Sequence, residues 1–368
     1  MTGIAILPQL ILAAGGVLAY AAGAFVPRRT NLPFVLALLA ASTSGLAVLI
    51  TSPVAGDFAG LVEISLFSRF YTGLLCLIAL LALLLLHRYA REHGFANEVL
   101  YGTLLFATLG MVVLASASNW LVFFLGFELL SISLYILIAI HRERELSYEA
   151  GLKYFIMGAV ASAFLVFGIG LLYAGTGSLA ISGCLPGSGG TAGERTLVWS
   201  GLGLILVGVG FKLSLVPFHL WTPDVYEGAP APVTAFLATG TKIALFGFLL
   251  HLFRGEPVSG PLLPLFWSLA ALTMLVGTLT ALVQSRVKRL LAYSSVAQMG
   301  YLLMALLAGG AEGTLAMLFY SAVYGLMDLA AFGGLGLLSD PDEDRNNLED
   351  FRGVGYRQPF AAGLFTLG

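Results

Sequence analysis

The chain has 368 residues, 58% of them hydrophobic and 10% charged, with a mean hydropathy of +0.93 and a formal net charge of −2. A soluble domain carries about 25% charged residues, so this composition excludes a soluble globular protein and describes a chain with many membrane spans. No basic patch points to nucleic acid, and Cys76 and Cys184, far apart and outside any CxxC, suggest neither a metal site nor a redox pair.

The N-terminal MTGIAILPQL has no positive n-region and no A-x-A-like cleavage site. It reads as the start of the first span and not as a signal peptide. Apolar runs of about 20 residues, the length that crosses a bilayer, predict helices at 4–26, 32–51, 68–87, 99–116, 119–139, 152–175, 197–218, 231–253, 262–283, 289–309 and 312–338. A twelfth begins near Pro359, and the sequence stops inside it at PFAAGLFTLG, so a fragment or a truncated reading frame is expected. Useful lengths of alternating polarity are missing, which argues against a β-barrel. The expected fold class is an all-α polytopic membrane protein with about 11 complete transmembrane helices and a partial twelfth.

Basic residues divide the loops into two sets. One set holds Arg28, Arg29, Arg88, Arg91, Arg142, Arg144, Arg286, Lys288, Arg289, Arg345, Arg352 and Arg357; the other holds only Arg69, Arg195 and Arg254. The positive-inside rule makes the first set cytoplasmic and puts the N-terminus outside. The loop after 197–218 belongs to the cytoplasmic set yet carries Asp224 and Glu227 and no base. The Gly-rich stretch 183–193 lacks the GK[ST] of a phosphate loop and reads as an external linker. The acidic stretch 340–350 reads as a solvated cytoplasmic loop, with partner docking as the second reading.

Three basic residues remain, and all are lysines: Lys153, Lys212 and Lys242. Arg stays charged at any accessible pH, whereas a buried Lys can lose its proton near neutrality. Two acids, Glu128 and Asp328, also fall within spans. Each ionisable group near mid-bilayer costs about 2.5–3.5 kcal/mol, so Glu128, Lys212 and Lys242 must pair, meet internal water or titrate. At 1.5 Å per residue, Glu128 and Lys242 both fall roughly 15–17 Å into their spans, near the midplane. Lys212 reaches a similar depth if the chain resumes as a second half-helix beyond Pro217, which disturbs the preceding turn. Such breaks occur at membrane depth only where they are buried in protein or line water, and they mark ion sites in transporters. Lys212 beside a break, with His219 two turns on, reads as a proton-relay element.

Other readings stand beside these. Glu128 with a lysine is also compatible with a static salt bridge, Lys153 with snorkelling to the cytoplasmic surface, and His219 with a satisfied buried histidine. Asp328 is also compatible with a protonated acid hydrogen-bonded to a neighbour, and His251 with an interfacial residue. The glycines of GLGLILVGVG, 201–210, read as helix-packing positions.

Four segments carry a resemblance: GFELLSISLYILIA at 126–139, EAGLKYFIMGAVASAFLVFGIGLLYAGTGS at 149–178, FKLSLVPFHLWTPDVYEGAPAPVTAFLATGTKIA at 211–244 and VKRLLAYSSVAQMGYLL at 287–303. Together with EDFRGVGYRQP at 349–359, they resemble subunit N of NADH-quinone oxidoreductase (respiratory complex I), an antiporter-like membrane subunit. The resemblance runs from about residue 99 onward. Related antiporter-like subunits and the Mrp antiporters carry Trp before the glutamate, whereas Phe127 precedes Glu128 here.

The resemblance implies about fourteen helices with two inverted five-helix repeats, spans 4–8 and 9–13, each with one broken helix, spans 7 and 12. It divides this chain into 1–95, 96–255 and an incomplete 256–368. It implies a proton relay of Glu128, Lys153, Lys212, His219 and Lys242 on a hydrated polar axis. It implies no cofactor on this chain, with NADH, FMN, iron–sulfur clusters and quinone handled by other subunits. The partners it implies are the other membrane-arm subunits and the lipid bilayer, with quinone indirect, in the cell inner (plasma) membrane. The family's second-repeat lysine lies in a helix that this sequence does not complete. Asp328, in YGLMDLAAF, stands where the resemblance leads one to expect a neutral residue. The expected mechanism pairs Glu128 with Lys212 and so holds its proton, with Lys242 competing with Glu128 for influence on Lys212 as quinone reduction shifts the balance. A stand-alone Mrp-type cation/proton antiporter and a structural membrane scaffold are the alternatives.

Overall fold

A computed structural model describes residues 6–25, 30–50, 56–96, 99–182, 191–253, 255–339 and 346–368. The readings placed on Arg28, Arg29, Arg254, Arg345, Cys184, most of the 183–193 linker and 340–345 lie outside the described residues, as do the first five positions. The described chain is helical almost throughout: α1 (Leu7–Phe25), α2 (Leu32–Ile50), α3 (Leu66–Glu92), α4 (Val99–Ala115), α5 (Trp120–Ile138), α6 (Glu145–Thr176), α7 (Ala192–Lys212), α8 (Thr222–Gly228), α9 (Ala231–Leu252), α10 (Leu262–Leu282), α11 (Val287–Ala308), α12 (Gly310–Leu338), α13 (Val354–Arg357) and α14 (Pro359–Leu367). Ten of these are long and apolar enough to cross a membrane, and α4 is a shorter apolar helix. The protein is a multi-span membrane protein.

The spans agree with the hydropathy reading except at their ends. Helix α6 starts at Glu145 and α3 continues to Glu92, because polar turns extend a helix past its apolar run without breaking its backbone hydrogen bonds. Helix α7 does the reverse and stops at Lys212, not at 218. A small element escaped the reading. β1 (Gly56–Phe58) and β2 (Val62–Ile64) form an antiparallel hairpin, whose turn has φ of +54° at Ala59 and +70° at Gly60. Three-residue strands are too short to leave an alternating pattern.

The inter-helix loops meet in two groups, as alternating spans require. Isolated bridges join Val62 to Ala117 and Asn119 to Ala180 at one end, while Arg286 pairs with Asn347 at the other. Helix α9 is the hub: its membrane-spanning stretch is wholly buried, packed chiefly against α3, α4 and α12.

Glycines set the closest crossings. A Cβ on Gly110 would stand 2.6 Å from the Leu130 nitrogen, and one on Gly126 would stand 2.8 Å from that of Leu114, so α4 and α5 touch backbone to backbone. Gly168 and Gly201 do the same for α6 and α7, each within 2.7 Å of the other's carbonyl oxygen, which agrees with the packing reading for Gly201. Small residues are the usual means of close approach in lipid, where apolar burial between helices supplies little. Gly126→Val is expected to cost about 1–3 kcal/mol through overpacking, read as a lower thermal midpoint in detergent. An unchanged midpoint would mean that the crossing has room.

Candidate functional site

The chain breaks where the sequence indicates. Helix α7 ends at Lys212, residues 213–221 run as turns, and α8 resumes at Thr222. Proline at 217 has no N–H and biases its predecessor away from the helical region, and Ser214 has a φ of +59°. The break is held by polar partners. The Val216 N–H donates to Thr273 Oγ1 on α10 at 3.1 Å, Trp221 Nε1 donates to the Phe211 carbonyl at 2.8 Å, and Thr222 Oγ1 donates to Ser214 Oγ at 2.8 Å.

Lys212 is 1% exposed. Its ammonium donates to Ser131 Oγ on α5 at 2.7 Å and stands 4.8 Å from the Tyr154 ring centre, 5.0 Å from Phe127 and 5.7 Å from Tyr135. A hydrogen bond to a charged group contributes about 1.5–3 kcal/mol, and a desolvated cation–π contact about 2. Together they match the roughly 3 kcal/mol insertion cost. The cation therefore rests here without a carboxylate on it. This corrects the expected Glu128–Lys212 pair. Ser131 lies three residues after Glu128, on nearly the same face of α5, and takes the lysine. The Glu128 carboxylate instead accepts from Ser162 Oγ on α6.

Lys242, also 1% exposed, lies on α9. It donates to Ser295 Oγ on α11. Ser295 Oγ is 2.7 Å from Tyr324 OH on α12, which donates to the Ala238 carbonyl at 3.0 Å. The ammonium is 5.4 Å from the centre of the Tyr226 ring on α8. Rings link the two lysines: Tyr154 to Trp221 at 4.6 Å, then Trp221 to Tyr226 at 6.1 Å between centroids. Tyr154 OH and Tyr226 OH on this line, and His219 Nδ1, Thr241 Oγ1 and Asp328 Oδ2, are buried and have no hydrogen-bond partner among the described residues. His219 itself is buried in the break, 6.3 Å from the Tyr293 ring.

Lys153 does not join this axis. It is 45% exposed and bonds Glu149 at 2.7 Å and Asp224 at 3.2 Å. Asp224 belongs to a peripheral network on α8: Arg289 reaches it at 2.7 Å and Glu227 at 3.1 Å, and Arg286 also grips Glu227. Burial raises the Asp224 carboxyl, but Arg289 and Lys153 outweigh it and hold it below its ordinary value. Its share of the network is therefore complete above about pH 4 and is lost as pH falls through the folded value.

Sequence reasoning missed Lys288. It was counted as a loop base, but it is 4% exposed in the first turn of α11 and donates to the carbonyls of Ala229 at 3.0 Å and Glu227 at 3.3 Å. A helix start two residues earlier than expected was enough to hide it. Ser131, Ser295 and Tyr324 were also missed, since nothing in one sequence says which hydroxyl meets a lysine on another helix.

Arg289→Ala leaves Glu227 with Arg286 alone and Asp224 with Lys153 alone. A loss of about 1 kcal/mol is expected, because the pairs are part-exposed and each acid keeps a second base, seen as a lower thermal midpoint. No change would make the network ornamental.

Residues 117–368 match the family described as NADH:quinone oxidoreductase/Mrp antiporter, TM. NADH-quinone oxidoreductase subunit N 1 of Solidesulfovibrio magneticus is 51% identical over 303 residues, 81% of this chain and 64% of that relative. Subunit N of Geobacter metallireducens is 45% identical over 356 residues, 97% of this chain and 75% of that relative. In the solved structure of respiratory complex I from Thermus thermophilus, one chain superimposes with a TM-score of 0.81 at 37% identity, covering 96% of this chain and 75% of that one.

Proposed function

The chain belongs to the NADH:quinone oxidoreductase/Mrp antiporter family, among relatives named subunit N, and from that premise we propose that it carries protons across the membrane as a membrane-arm subunit of an NADH:quinone oxidoreductase. In this reading quinone reduction occurs on other subunits, and the redox cofactors sit there. The subunit's contribution is a set of proton-exchanging groups: Lys212 and Lys242 as carriers, Glu128 as the acid that biases Lys212 from the α5–α6 side, and His219 at the break. Lys153 takes the proton-access position at the α6–α8 end. Residues 96–255 form the first antiporter-like repeat and 256–368 part of the second. The chain lies in the plasma membrane with its N-terminus outside, a reading supported by the twelve-to-three split of basic residues at the two ends of the spans.

One observation carries the proposal. Charges that hold a fold together are paired, as Asp224, Glu227, Arg286 and Arg289 are. Lys212 and Lys242 are buried more completely, yet each donates to a serine hydroxyl and faces aromatic rings, with no ion pair among the described residues. A lysine that only holds the fold is expected to meet a carboxylate or helix-end carbonyls, as Lys153 and Lys288 do. Moving one charge against 100 mV costs about 2.3 kcal/mol, the size of one charge-assisted hydrogen bond. Making or releasing the Lys212–Ser131 bond is therefore commensurate with the work required.

The test is proton release per NADH oxidised in sealed vesicles carrying the assembled complex, comparing wild type with Lys212→Met. Reduced release with normal assembly supports a carrier. Unchanged release and turnover would make the buried lysines packing charges.

A further inference from the structure

Asp328 has no role in the relay just described. It lies on α12, half-buried as a residue, with its Oδ2 atom buried and lacking a hydrogen-bond partner. It follows Tyr324 by four residues, so the two side chains share one face of the helix. Tyr320 precedes Tyr324 by the same interval. The groups facing Asp328 come from several elements: Lys242 on α9, Ser295 on α11, Tyr226 on α8, and Tyr324 and Tyr320 on α12 itself. Among these titratable neighbours Lys242 is the only cation, and the two groups attract each other across the buried space. Helix α14, which also packs on α12, carries no titratable side chain.

The hydrogen bonds between them have a direction. The Lys242 ammonium donates to Ser295 Oγ, the serine is 2.7 Å from the Tyr324 hydroxyl, and Tyr324 donates onward to the Ala238 carbonyl. A backbone carbonyl cannot keep a proton, so the chain ends there without an acceptor. The carboxylate one turn along the helix has the right chemistry, and both the Tyr324 and the Ser295 hydroxyls interact with it. A buried carboxylate oxygen without a donor is costly, about 1–3 kcal/mol or more for a charged group, and accepting this proton removes the cost.

We propose that Asp328 is a proton-exchanging residue that takes the Lys242 proton through the hydroxyls of Ser295 and Tyr324. In the forward step a Lys242 N–H bond breaks as the serine accepts, the serine O–H proton passes to Tyr324, and the tyrosine O–H proton passes to Asp328. The ammonium becomes an amine, the carboxylate a carboxylic acid, and both hydroxyls are restored. No electrons move. The pair thus changes from two buried charges to two neutral groups, and a proton held between the repeats is handed to α12. This rests on the proton-carrier reading above.

The experiment compares Asp328→Asn, Tyr324→Phe and Lys212→Met in the assembled complex, reading proton release per NADH oxidised in sealed vesicles. Asp328→Asn and Tyr324→Phe are each expected to lower it by about as much as Lys212→Met does, with assembly intact. If Lys212→Met lowers release but the other two leave it at the wild-type value, Asp328 is not a carrier and the broader reading survives. If all three match wild type, both fall. Tyr324→Phe removes one oxygen and leaves Lys242 and Asp328 in place, so it decides the question even if Asp328→Asn fails to assemble. As a second readout, turnover-induced infrared difference spectra of wild type should show a protonated carboxyl band that shifts in Asp328→Glu. A spectrum whose carboxyl bands are identical in the two proteins would overturn the proposal.

Discussion

Backbone that is not helical cannot stand in a bilayer unless its polar groups find partners in protein or water, and residues 213–221 impose that condition on everything around them. Thr273 on α10 takes the Val216 N–H, and Trp221 folds back to the Phe211 carbonyl. Helix α8 is then clamped from outside by Arg286, Arg289 and Lys153. The break is therefore held from two sides at once, by α6 on one and by α10 and α11 on the other. What it yields is a lysine at the last turn of α7, where the carbonyl end of the helix favours a cation, inside a cage of three rings.

The distribution of charge separates two jobs. Guanidinium groups, which keep their charge and bind carboxylates in a fixed fork, occupy the end of the helices and form ion pairs there. The ammonium groups of Lys212 and Lys242 lie in the interior and meet hydroxyls and ring faces, while Lys153 and Lys288 stay at the helix ends with carboxylates and carbonyls. Hydroxyls can donate and accept in the same bond chain, so they relay a proton where a carboxylate pair would trap it. The buried, partnerless atoms include Tyr154 OH and Tyr226 OH beside the two lysines, Thr241 Oγ1 next to Lys242 in the chain, and His219 Nδ1 in the break. This suits a polar axis more than a packed apolar core, because each such atom is costly unless something completes it.

Helix α9 makes the two halves one object. Its membrane stretch is wholly enclosed, so Lys242 can reach α11 and α12 on one side while Tyr226 and Trp221 lead back towards Lys212. A change at either lysine is felt through groups already in contact, with no large movement of helices required.

Much of this was legible in the residues. Composition and the lengths of apolar runs determined a polytopic helical fold, since only helices and closed barrels satisfy a backbone in lipid. A lysine, a proline and a histidine within eight positions, Lys212 to His219, determined a break with titratable groups at it. Tertiary structure alone decided the pairing. Glu128 and Lys212 carry opposite charges at similar expected depth, yet Ser131 rather than Glu128 meets the lysine, because packing sets Lys212 level with the residue nearly one turn further along the same side of α5. Lys153 looked like the other buried lysines and is instead tied to Asp224 at the helix end. Lys288 looked like a loop base and is buried. A linear sequence gives the depth of a residue in its helix to within a turn, but the azimuth of that residue towards its neighbours is set by how the helices pack, and azimuth is what decides who donates a proton to whom.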